Sequence, residues 1–138
     1  MTSKFTPIVK IKKQQMDMIE THLAKARQKN NQLKRRLDNL REEISSQIAP
    51  KEGNIQLYNV YRENLSILRK EMSEVEKAYE ISNQEVAQLQ QKYKNALREF
   101  EKMKYLEGRD FEEFMKKLKR QEQLDMDEVS MMLFANRS

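Results

Sequence analysis

One pattern constrains this chain more than any other. From residue 61 to residue 103, positions at alternating steps of four and three (Tyr61, Leu65, Leu68, Met72, Val75, Tyr79, Ser82, Val86, Leu89, Tyr93, Ala96, Phe100, Met103) form an unbroken seam of mostly apolar side chains. A repeat of about 3.5 residues keeps such a seam turned toward one partner helix along its whole length, which is the requirement of a coiled coil. A second seam with the same steps runs Val9, Lys12, Met16, Ile19, Leu23, Ala26, Asn30, Leu33, Leu37, Leu40, Ile44, Gln47. The chain therefore carries both halves of a pair.

The punctuation between the seams says how they meet. Thr6-Pro7 predicts a helix start, with Thr6 as N-cap and Pro7 giving up only an N–H that has no partner in a first turn. Pro50 pushes Ala49 out of the helical region and ends that helix, Gly53 is free to take a positive φ, and Asn54 is suited to cap the second helix. The expectation is an all-α fold, a two-helix antiparallel coiled-coil hairpin with a longer second helix. Helix 1 covers about 7–48, the turn 49–54 and helix 2 about 55–134, within a single coiled-coil domain 1–138.

In an antiparallel pair, facing seam residues have numbers that sum to a constant. A sum of 105 centres the turn on Glu52 and Gly53. It sets Ile44 against Tyr61, Leu40 against Leu65, Leu37 against Leu68, Leu33 against Met72, Asn30 against Val75 and Lys12 against Tyr93, where the lysine stem would lie along the ring. Slips of one heptad fit the turn less well. Asn30 costs stability in such a seam but specifies register through its need for a polar partner.

On this reading helix 1 is used up when helix 2 reaches about Phe100, and residues 101–134 extend beyond it. That overhang carries Phe111, Phe114, Met115 and Leu118, then Met126, Val129, Met131, Met132, Leu133 and Phe134. With no partner left inside the chain, each would gain roughly 1.5–3 kcal/mol on full burial, and Met-rich faces suit adaptable contacts. A partner surface, a self-association patch and a frayed tail all remain open. Gly108 offers a place for a kink.

Composition narrows the function by exclusion. Residues 1–53 hold 12 Lys/Arg against 6 Asp/Glu, and the remainder 15 against 16, so the first half is the basic one. The cations are spread round the helix without interleaved aromatics, which favours a solvated face over nucleic-acid binding. No apolar run has the length of a membrane span, and the opening residues do not begin a secretory signal, so a cytoplasmic protein is expected. With no Cys and a single His, His22, no metal site or cofactor is expected. Phosphate loops, nucleophile triads and zinc motifs are missing, and carboxylates such as Glu74 and Glu76 alternate with Lys70 and Lys77 as in surface ion pairs. The chain does not read as an enzyme.

A basic first helix opening Lys4-Phe5-Thr6-Pro7-Ile8, a short Gly turn, a longer second helix and a tail of Leu124-Asp125-Met126-Asp127-Glu128-Val129 through Arg137 resembles the FliJ family of flagellar export proteins and its virulence-secretion relatives. The resemblance implies a coiled coil similar to the central stalk of rotary ATPases. It further implies insertion into the ring of a hexameric export ATPase, stimulation of that ATPase, a link to the cytoplasmic domain of the membrane export gate, and escort of export chaperones. Phe111, Phe114, Met115, Leu118, Val129 and Leu133 are the implied ring contacts. The gate cluster of the family, an aromatic followed by hydrophobics at helical spacing, is similar to Tyr58, Tyr61, Leu65, Leu68 and Met72. Those last four also lie in the hairpin seam, so Tyr58, Val60 and Ile67, off the seam, compete as the contacting set. The protein is expected to be monomeric in isolation, without nucleic acid, and at the membrane only through its partners. A self-associating tether or secretion chaperone is the alternative.

Overall fold

The computed structural model describes residues 3–136. Two helices, α1 (Thr6–Ser45) and α2 (Ile55–Asn136), pack against each other as an all-α hairpin, with no strand among the described residues. Their contacts fall into two compact units, Met18–Lys94 and Met1–Asp17 with Asn95–Ser138.

In the unit Met18–Lys94, burial follows the seam. Every α1 residue there that is not exposed is a seam position, with Leu23, Leu37 and Leu40 buried and Leu40 fully so. On α2 the half-buried set is again the seam, joined by Glu71 and Ala78, and Ser82 is the buried residue. Period 3.5 thus sets which face each helix gives up to its neighbour.

The register differs from the expected one. Asn30 Nδ2 donates to Ser82 Oγ at 3.2 Å and to Asn83 Oδ1 at 2.7 Å, which sets the paired sum at 112, one heptad from 105. Leu33 now lies opposite Tyr79, Leu37 opposite Val75 and Leu40 opposite Met72. The reason is polar: at 105 the Asn30 amide would face Val75, and a desolvated amide without a partner costs more than a less economical turn. On either side of the seam Arg36 pairs with Glu71 and Arg41 Nη2 lies 3.8 Å from Glu76. Both pairs are about half exposed, so each contributes roughly 0–1 kcal/mol.

The link between the helices adjusts accordingly. α1 stops at Ser45, short of the expected 48, because Ser45 and Ser46 hydroxyls fold back onto the carbonyls of Glu42 and Glu43 at 2.9 and 2.8 Å. Residues 46–54 cross over. Gly53 has φ 138°, and a Cβ there would stand 2.8 Å from Leu57 Cδ1, so the position requires glycine. Asn54 Oδ1 accepts the Leu57 N–H at 3.1 Å and caps α2.

In the other unit the start of α1 is tied to α2. Ser3 Oγ donates to Asp110 Oδ2 at 2.6 Å and accepts the Phe5 N–H at 3.1 Å, while its carbonyl takes the Thr6 N–H. The capping role expected of Thr6 therefore falls to Ser3, which is 6% exposed, and Thr6 is already the first helical residue. Met16 is buried and Val9 half-buried. The ring of Phe100 takes Lys13 Nζ at 5.8 Å and Lys104 Nζ at 5.7 Å from its centroid, in place of the stacking expected of Lys12 on Tyr93. Since Ser3 reaches Asp110, the uncovered part of α2 begins beyond Asp110 rather than at residue 101. The helix passes Gly108 without a break, and a Cβ added there would meet nothing within 4 Å.

Candidate partner-binding surfaces

Two apolar surfaces stand out, one in each unit. The first lies where the chain turns. Because the register is one heptad longer than expected, α1 ends before it can cover the first turns of α2. Ile48, Ile55, Leu57, Tyr58, Val60 and Ile67 are all exposed, Ile48 to 80% and Tyr58 to 47%. Tyr58 and Tyr61 rings stand 6.2 Å apart, tilted by 36°, so the pair forms a small aromatic ledge.

The sequence-derived gate candidates separate here. Tyr58 is exposed, whereas Tyr61, Leu65, Leu68 and Met72 are half-buried. In the 112 register Leu68 lies opposite Ile44 and Met72 opposite Leu40, inside the hairpin. Tyr61 and Leu65 fall past the last α1 residue, which frees one edge of each. Val60 and Ile67, the competing positions, point away from the seam and are exposed to 54% and 58%. Ile48, Ile55 and Leu57 complete the surface and lie outside the expected set; the available signal was a run of large aliphatics beside a turn, off any heptad position.

The second surface is the C-terminal part of α2, in the unit Met1–Asp17 with Asn95–Ser138. Phe114 is half-buried, while Phe111, Met115, Leu118, Val129 and Leu133 are exposed, as is every described residue from Met115 onward. Successive positions 111, 115, 118, 126, 129 and 133 follow helical spacing and so share one stripe. Lys116, Lys117, Lys119 and Arg120 flank its first half, and Asp125, Asp127 and Glu128 its second. Gln121 and Gln123 donate to Asp125 and Asp127 one turn on, at 3.0 and 3.2 Å, which steadies that acidic stretch. Arg137, which closes the tail motif, lies outside the described residues.

Among the described residues no cluster of His, Asp or Glu is arranged to hold a metal ion, and no helix is long and apolar enough to cross a membrane. His22 is exposed on α1.

Against known proteins, the model of the family described as flagellar FliJ protein matches residues 1–138, the entire sequence. No curated protein and no solved structure matches it.

Proposed function

From the premise that this chain belongs to the flagellar FliJ protein family, a non-catalytic component of the flagellar export apparatus, we propose that it works as a central-stalk-like coiled coil. In this reading it binds and stimulates the hexameric export ATPase and links that ring to the cytoplasmic domain of the export gate. It acts in the cytoplasm at the inner-membrane apparatus, and escort of export chaperones belongs to the same family-level picture.

The observation that carries the proposal is the C-terminal stripe of α2. Large apolar side chains there are solvent-facing over more than twenty residues, far beyond the scattered exposure normal for a soluble surface. Phe111, Phe114, Met115, Leu118, Val129 and Leu133 are assigned to the ATPase ring. Tyr58, with Tyr61, Leu65 and their exposed neighbours Val60 and Ile67, is assigned to the gate; Leu68 and Met72 serve first as hairpin core.

The direct test adds purified protein to the export ATPase and measures ATP turnover. Full-length chain raises the rate, and a chain ended after Phe114, which keeps Ser3 with Asp110, does not. An equal rise with the shortened chain removes the ring assignment. The same apolar stripe would also suit a second copy of this chain. Light scattering over a concentration series separates the two, a stable dimer favouring self-association.

A further inference from the structure

In the unit Met18–Lys94 the seam accommodates two registers, and one polar layer distinguishes them. On α1, Lys29 and Arg36 stand a heptad apart on one side of the seam, and Lys34 and Arg41 a heptad apart on the other. Arg36 now meets Glu71 and Arg41 reaches Glu76. A slide of seven residues brings Lys29 to Glu71 and Lys34 to Glu76, and Lys34 already lines the same groove as Glu76. Both carboxylates therefore find a cation in either position.

Apolar layers are equally forgiving, because every seam position moves onto another seam position. The link permits it too: residues 46–54 span the present gap, and the shorter register needs only a turn at 50–54. What changes sign is the polar layer, and because α1 is one continuous helix the slide also parts Ser3 from Asp110 in the other unit. After the slide Asn30 would face Val75, and Ser82 would face Leu23.

We propose that the hairpin is a two-position slide held in its observed position by the Asn30, Ser82 and Asn83 layer. In that position Tyr61 and Leu65 lie past the end of α1. In the other, about 10 Å away along the helix, Ile44 covers Tyr61 and Leu40 covers Leu65. A partner that grips the free edges of Tyr61 and Leu65 holds the observed position, since it binds that state better. The inference rests on the seam and does not depend on which partner that is.

The chain contains no cysteine, so engineered thiols report without background. Arg36→Cys with Glu71→Cys marks the observed register, and Arg36→Cys with Asn64→Cys the shorter one; Arg36 and Asn64 are exposed and Glu71 half-buried. A short bismaleimide is applied to the full chain. With the native seam, the first pair crosslinks at least tenfold more than the second. Both seam variants also carry Ser3→Ala, which removes the tie to Asp110; exchanging the layer by Ser82→Val with Val75→Ser then reverses that preference. In Asn30→Val both pairs crosslink to within about threefold. Helicity by circular dichroism checks each variant, and if one fails to fold the other decides. A folded variant that keeps the tenfold preference for the first pair, or yields no crosslink in either, overturns the proposal.

Discussion

The Asn30 amide donates to the Ser82 hydroxyl at 3.2 Å across the hairpin seam, placing one polar layer among apolar ones. Such a layer exchanges stability for uniqueness of pairing. Replacing both partners, Asn30→Val with Ser82→Ala, is therefore expected to raise resistance to urea, by roughly 1 kcal/mol, as apolar surface replaces a half-buried amide and the buried Ser82 hydroxyl is not left unpaired. Equilibrium unfolding measures it; a lower midpoint would mean that the hydrogen bonds outweigh the burial.

Leu40 is the fully buried α1 side chain of the seam, while Met126 is 67% exposed. Truncating each separates core from contact surface. Leu40→Ala is expected to cost roughly 2–5 kcal/mol, and Met126→Ala to stay within about 0.5 kcal/mol. Urea midpoints of the two variants should differ accordingly.

Gly108 sits in an unbroken helix with open space where a Cβ would stand. Nothing in its backbone asks for glycine, so Gly108→Ala should stabilise α2 by roughly 0.5–1 kcal/mol. A loss of helicity or a lower melting point would reveal a bend that the side chain obstructs.

At the turn, Tyr58 and Val60 are exposed and Leu68 lies in the seam. Pairing Tyr58→Ala with Val60→Ala should leave the thermal midpoint within about 2 °C of wild type, whereas Leu68→Ala lowers it clearly. The surface double variant is expected to weaken capture by the export gate's cytoplasmic domain at least fivefold, read by a binding titration. Unchanged affinity would exclude these two positions from that contact.

The two seams and the cap at Asn54 were legible because period and capping chemistry are local signals. Register was not, since Leu, Met and Val exchange places across heptads at little cost. Its clue was Ser82, the one small hydroxyl on the α2 seam, which is what an amide at Asn30 requires. The cap at Ser3 escaped because Thr6-Pro7 satisfies the same rule; only the tie to Asp110, 107 residues away in sequence, distinguishes them. Exposure of the turn surface is a consequence of the register, so it was hidden with it. The C-terminal stripe was readable, because positions with no seam left to meet are evident from counting.

Chain order gives that stripe a further meaning. A ribosome releases α1 first and the matching part of α2 next, so complementary seams meet while residues 111–134 are still being made. The stickiest segment emerges after both seams, when its most dangerous wrong mate, the apolar face of α1, is already occupied.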